Sequence, residues 1–496
     1  MGTGATIAIG LVAYAALMLA FSLFLTKRIA KASDYLMGGR NFPFWILIGS
    51  VTAANIGTGV IVGASGLAYK HGWAGAAYPI GLGLGTALVG LVFATMRRHK
   101  FMTLSEEVAS YYGNRRVVVE FANITLFFAQ ICWLTVQIMG GAALLAAVTR
   151  LPVHLCIVIA AAITAGIAIP GGLKSVVYTD FVQTAILLSG FSVLTWSALH
   201  HSGGWVGLRQ SMPSAYFSFL GAASYSKWKV AGLMVALIAS AIADPGRRLS
   251  MYSARSESGA RLSMIFAGLI VILFSVAVAI TGMYAFHLNQ HLPNPDESLI
   301  WLVMNVLPAW LAALVVVSVI SGIISCANWN AIAAGTFFVR HIYPLVAGRY
   351  AKRPLLAVRL ALVCAFAIST LVAFHAGTIV GFVVKFLPIT LSGLAVIILV
   401  GRFWNRSTWQ GALAALIATP IASLAVMFAP ATMSFLDNAV IPTLAGAIVH
   451  IVVSMLTPPT SPGFNQVAMI MHQERLAVET EPHNESAQAP TVLKSY

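Results

Sequence analysis

Apolar runs long enough to cross a bilayer, at roughly 20 residues each, dominate the chain and are separated by short turns rich in glycine, proline or basic residues. They predict transmembrane helices near residues 4–26, 43–69, 73–96, 117–146, 152–170, 175–199, 228–244, 262–286, 299–338, 355–375, 377–400, 408–429 and 432–456. Polar residues interrupt three of these runs. "SVTAANIGTGVIVGASG" carries Asn55 and glycines at 57, 59, 63 and 66; "GGLKSVVYTDFVQ" carries Asp180; "ISGIISCANWN" carries Ser321, Ser325, Asn328 and Asn330. Lipid supplies no hydrogen-bond partners, so these groups need partners inside the protein or in a bound ligand.

Composition agrees with the pattern: 59% of the 496 residues are hydrophobic, 9% are charged and the mean hydropathy is +0.88. A soluble domain carries roughly 25% charged residues. The formal charge of +15 is spread as punctuation between apolar runs and forms no stripe, which points to membrane topology and to no nucleic-acid partner. With the amino terminus outside, 23 of the 29 Lys and Arg fall in or beside inner segments, five fall in or beside outer ones and Lys385 alone lies well inside a run. That asymmetry predicts thirteen spans, an internal carboxyl terminus and a home in a bacterial cytoplasmic membrane.

Residues 1–458 read as one transmembrane transporter domain and the polar tail, 459–496, as a disordered cytoplasmic segment. The segment 200–229 reads as a cap over the outer mouth. Cys132, Cys156, Cys326 and Cys364 lie in apolar stretches without metal-like spacing, so neither a disulfide nor a transition-metal site is expected. "MGTGAT" fits a myristoylation pattern, but a span begins at once and reads as a retained helix, not a signal peptide. No hydrolase elbow, metal-ligand set or nucleotide loop appears, so no enzyme, no organic cofactor and no obligatory protein partner are expected.

The polar residues allow more than one use. The glycines beside Asn55 suit close helix packing, or a broken helix whose freed carbonyls line a cavity or hold an ion. Asp180 reads as an interfacial acid, as part of a network with Lys174, Tyr178 and Thr179, or as a cation ligand on an exit path or at a second ion site. Asp244, ahead of Pro245, Gly246, Arg247 and Arg248, reads as a helix-ending ion pair or an inner gate. Burying the Lys385 ammonium costs several kcal/mol unless it is paired, which suggests contact with an anionic solute group. Gly322 and Ser325 share a helix face and offer a carbonyl and a hydroxyl, hard ligands for a small cation, although small residues there also permit tight packing.

The stretches "DYLMGGRNFPFW" (34–45), "AANIGTGVIVGASGLAYKHG" (53–72), "GGLKSVVYTDFVQ" (171–183), "TFFVRHIY" (336–343) and "LVGRFWNRSTWQGA" (399–412) together resemble the sodium:solute symporter family. The resemblance implies an all-α, LeuT-like core of two inverted five-helix repeats, about residues 43–199 and 228–400, with one helix before and two after. It implies Na+-coupled symport of a small solute, with proton coupling or a membrane solute sensor as alternatives. It assigns the ion to Ala53, Ile56, Gly322, Ser325 and Cys326, the last a departure because a neutral thiol is a poor ligand for hard Na+. Some members hold a second sodium ion at the position of Asp180 with hydroxyls where this chain has Asn328 and Trp329, which favours one ion. The family's sugar-binding positions correspond to Val60, Ala236 and Val384, an argument against a sugar. With Asn55 and Lys385 as further solute contacts, a small carboxylate or other organic anion is the preferred solute.

Overall fold

The computed structural model describes residues 3–26, 38–218, 227–348, 351, 353–377, 379–428 and 440–480. Lys27, Arg28, Lys31, Arg349, Lys352 and Lys494 of the charge tally, and the first part of the run expected at 432–456, lie outside the described residues. Helices account for nearly everything described, as they must where lipid leaves each backbone N–H to find its carbonyl within the segment. One isolated bridge, Phe42 with Ala254, is the exception.

In chain order the principal helices are α1 (Thr3–Thr26), α2 (Phe44–Asn55), α3 (Ala64–His71), α4 (Ala77–Phe93), α5 (Leu104–Tyr111), α6 (Arg116–Thr149), α7 (Val153–His201), α8 (Lys227–Ala243), α9 (Pro245–Ser253), α10 (Glu257–Leu288), α11 (Ala309–Phe337), α12 (Pro354–His375), α13 (Ile379–Leu387), α14 (Gly393–Phe403), α15 (Trp409–Met427), α16 (Val440–Leu456) and α17 (Phe464–Thr480). Each expected span falls on one of these helices or on a consecutive pair. Nine helical stretches among the described residues are long and apolar enough to cross a bilayer, or ten with the bent pair α8 and α9; three shorter apolar helices add to these. The fold is the LeuT-like arrangement of two inverted repeats.

Three interruptions shape the centre. Helix α2 stops at Asn55 because Ile56 turns to φ −95°, ψ 69°, and the chain resumes through a wide turn at Gly59–Gly63 into α3. Gly172, at φ 61° and ψ −179°, kinks α7 in a region that a side chain would disfavour. At Asp244 the chain bends 46° between α8 and α9. Pro245 opens α9 without losing a hydrogen bond, and the Asp244 carboxylate caps it by accepting the Arg247 N–H at 3.0 Å. Helix α11 packs against α6, α7 and the end of α2, which places "ISGIISCANWN" beside the first break.

Two outer or inner segments differ from expectation or extend it. Phe464–Thr480 is helical although the tail was expected to lack order; Phe464 stacks on Tyr111 at 5.3 Å, and Val467 and Ala468 are buried. Residues 481–496 lie outside the described residues. In the expected outer cap, Trp205 packs on Trp73 at 5.9 Å and Tyr216 stacks on Phe286 at 4.8 Å, while residues 219–226 fall outside the described set.

Asp296, in the segment between α10 and α11, packs against Gly66 of α3 and accepts the backbone N–H of Ile379 at the start of α13. Burial pushes its carboxyl above the usual carboxylate range, opposed in part by that hydrogen bond and by Lys70. A carboxyl whose folded value is raised stabilises the fold at low pH and loses that contribution as pH rises through the folded value. Thermal unfolding of the purified protein should therefore gain more from mild acidification in the wild type than in Asp296→Asn. Equal gains would remove Asp296 as the source.

Candidate ion and solute site

The break after α2 leaves backbone carbonyls without helical partners, and the small residues of α11 let those carbonyls approach. A Cβ built on Gly322 would stand 2.6 Å from the Ile56 carbonyl oxygen, so only glycine allows this approach. One turn on, the Cys326 thiol donates to the Ala53 and Ala54 carbonyls at 3.1 and 3.0 Å. Ser325 and Cys326 are both buried. Of the five residues that the resemblance assigns to an ion, Ile56 thus approaches Gly322 and Ala53 meets Cys326, while Ser325 adjoins Cys326 in sequence.

Asp180 of α7 joins them. Its Oδ1 accepts the Ser325 hydroxyl at 2.6 Å, and its Oδ2 accepts the Ser50 hydroxyl at 2.8 Å and the Trp329 indole N–H at 2.6 Å. The carboxylate is fully buried and has three neutral donors, two from α11 and one from α2. This overturns two of its possible uses: it is neither a solvated interfacial acid nor bonded to Lys174, Tyr178 or Thr179, whose hydroxyl instead donates to the Ser175 and Val176 carbonyls. Ser321 turns away from the break and donates to the Gln183 and Ser318 carbonyls. Both amide atoms of Asn328 are buried without a partner among the described groups.

A second polar cluster closes the other side of the break. Arg247, 6% exposed, reaches from α9 to Asn55, with Nη2 2.6 Å and Nε 3.1 Å from Oδ1; its Nε also lies 3.1 Å from the Thr86 hydroxyl of α4. Its Nη1 lies 2.8 Å from Asp244 Oδ2, the helix-ending ion pair expected there. Gln137 of α6 accepts the Thr58 N–H at 2.9 Å and so holds the far side of the break. The Tyr78 hydroxyl, beside Gly59, is buried without a partner among the described groups.

The other solute candidates are less concentrated. Val60 and Ala236 are buried, at the turn after the break and on α8; the side chain of Val384 on α13 lies outside the described set. Lys385 is exposed. Its neighbours Phe382, Val383, Phe386 and Leu387 line a small cleft against Ala129, Cys132, Trp133 and Val136 of α6, and the 3.6-residue period puts Lys385 on the opposite face. Lys385 therefore does not line that cleft. Sequence reasoning missed Ser50, Gln137 and the reach of Arg247 to Asn55. A glutamine within the apolar run 117–146 was a usable signal for Gln137; nothing local marks Ser50.

Comparison with known proteins agrees with this architecture. The chain aligns over 447 residues with the sodium/glucose cotransporter of Vibrio parahaemolyticus, at 24% identity and with 82% of each protein covered. Rabbit (Oryctolagus cuniculus) sodium/glucose cotransporter 1 is 28% identical over 186 residues, which is 37% of this chain and 28% of that relative's length. A solved substrate-bound, outward-open structure of a Na+-coupled sialic acid symporter superposes with a TM-score of 0.79 at 18% identity, covering 92% of this chain and 99% of that one. The sodium:solute symporter family pattern matches residues 35–419. The chain is an integral membrane protein and belongs to the sodium:solute symporter family.

Proposed function

We propose that the protein is a secondary active transporter that couples entry of a small organic solute to Na+. Na+ sits between the Ala53 and Ile56 carbonyls of the broken helix and Gly322, Ser325 and Cys326 of α11. The observation that carries this reading is the approach of the Ile56 carbonyl oxygen to Gly322, beside the contact of Cys326 with the Ala53 carbonyl, among buried residues. Asp180 lies one hydrogen bond behind Ser325 and supplies the negative charge that a buried cation requires. Binding of Na+ must pull the Cys326 thiol off the Ala53 carbonyl, and because coupling is reciprocal, solute binding tightens Na+ by the same factor.

The solute enters beside Asn55, Val60, Ala236 and Val384. Three of those four positions are apolar, which supports a solute other than a sugar, and the preference for a carboxylate or other organic anion rests on Lys385 alone. Orientation follows the basic residues, with the amino terminus outside and the carboxyl terminus in the bacterial cytoplasm.

Reconstituted protein should accumulate solute under an imposed Na+ gradient and not under a proton gradient of equal size. Cys326→Ser replaces a soft ligand by a hard one and should lower the half-saturating Na+ concentration by roughly tenfold. An unchanged or raised value would remove residue 326 from the ion site, and uptake driven by protons alone would overturn Na+ coupling.

A further inference from the structure

We propose that Asn123, Gln130 and Gln137 of α6 line a polar route that leads from the helix break to the end of the molecule where α5 and α17 pack, and that takes up water as the helices part during transport. That Na+ and solute leave the centre along it rests on the symport reading above; the route itself rests on the packing of α6.

The three amides recur every seven residues along α6. Each such step turns a helix by only about 20° and rises roughly 10 Å, so they form one stripe about 20 Å long. All three are buried, at 0, 1 and 4% exposure. Gln137 stands at the ion site: a Cβ on Gly57 would lie 2.6 Å from its Oε1 and 2.5 Å from Cys326 Sγ. Nearer the start of α6, Gln130 Nε2 and Asn123 Oδ1 are buried without a partner among the described groups. Leucine at either place would leave no hydrogen bond unmade, so packing alone favours an apolar residue there. Polar side chains on a buried face of a membrane helix are instead those that meet water or a passing solute.

Neighbouring contacts show what the stripe faces. A Cβ on Gly140 would collide with Thr58 at the break, and one on Gly141 would touch Ile323 and Ile320 of α11 at 3.8 and 3.9 Å. Gln137 precedes these glycines by three and four residues, so its side chain lies between their two directions, toward the break and α11. At the other end of the stripe, the Phe127 ring lies 6.0 Å from that of Phe338, just after α11. Between Cys326 and Phe338, α11 carries "NAIAAG" (330–335), a buried run in which only Asn330 and Ile332 are larger than alanine. Small side chains opposite an amide stripe leave room for a file of water with little separation of the two helices. Amides both donate and accept, so the lining suits a cation and a polar solute alike.

The test uses the full chain in liposomes, with Cys132, Cys156 and Cys364 replaced by alanine and this parent, which keeps Cys326, as the background. Gln130→Cys and Asn123→Cys are treated with a positively charged, membrane-impermeant methanethiosulfonate. Phe128, 54% exposed on another face of α6, supplies the control as Phe128→Cys. Both stripe variants should react at least roughly tenfold faster than the control, because lipid excludes a charged reagent. Rates no higher than the control overturn the route, whatever uptake shows. Fast labelling in a protein whose uptake ignores Na+ supports the route and overturns Na+ coupling.

An independent arm needs no cysteine. Gln130→Leu keeps the bulk and removes the amide, so the maximal uptake rate should fall at least roughly fivefold, the worth of one hydrogen bond to a species in transit. Half-saturating Na+ and thermal stability should not fall with it, and Gln130→Asn, which keeps an amide, should stay within about twofold of the wild-type rate. Equal rates in the leucine and asparagine variants would assign Gln130 to packing and overturn the route.

Discussion

Asp180→Asn should raise the half-saturating Na+ concentration by about a hundredfold. The carboxylate lies behind Ser325, and a unit charge about 5 Å from a cation at an effective dielectric near 20 is worth ~3 kcal/mol, close to two decades in affinity. Hydrogen bonding acts in the same direction. Asparagine offers one acceptor oxygen and one amide nitrogen to a shell that has three donors, and the Trp329 N–H cannot reverse its role as the two serine hydroxyls can. Trp329→Phe deletes one donor and no charge, so its cost should be far smaller, on the order of 1 kcal/mol. Sodium titrations of uptake on both variants decide the matter. Equal effects would mean that Asp180 acts through packing, and unaltered Na+ dependence in Asp180→Asn would remove it from the ion site.

The second large effect is expected from Gly322→Ala. The added methyl would meet the Ile56 carbonyl oxygen at 2.6 Å, closer than carbon and oxygen tolerate, and that oxygen belongs to the backbone of the broken segment and cannot swing aside. Overpacking of this kind costs roughly 1–3 kcal/mol, while alanine in place of glycine within a helix returns about 1 kcal/mol. The two nearly offset in overall stability, but the whole displacement falls on one proposed ion ligand. Thermal unfolding should therefore shift little, whereas Na+-stimulated uptake should fall at least roughly tenfold. A large loss of stability with normal Na+ affinity in the surviving protein would assign Gly322 to packing alone.

Much of the ion site was legible in the sequence because a broken helix and a stripe of small residues are local patterns. "AANIGTG" announced the interruption that Ile56 makes, and the spacing of Gly322 and Ser325 put a carbonyl and a hydroxyl on one face of α11. Asp180 was marked by its place in an apolar run, although its partners were not: Ser50 lies 130 residues before it and Trp329 lies 149 after it. Trp329 looked like a departure from a hydroxyl pattern and proves to be the donor to Asp180. Lys385 stood out by its charge, but span boundaries carry no information on which face of a short helix is covered, and the cleft beside it is lined by its neighbours. The helix Phe464–Thr480 was hidden by its polar composition, since it is held by packing on α5, where Phe464 stacks on Tyr111 and Val467 and Ala468 are buried.

By itself the sequence determined the helices, their approximate ends, the break beside Asn55 and the membrane setting, because these follow from hydrophobic runs, glycine and proline placement and the penalty on unpaired backbone in lipid. Tertiary structure alone decided which polar groups meet. Asn55 and Arg247 stand 192 residues apart yet share a hydrogen bond at the break, and no local pattern encodes a distance through space. The hydrogen-bond shell of Asp180 is likewise a property of such meetings, for its donors come from α2 and α11 and are held against α7 by the packing of those helices.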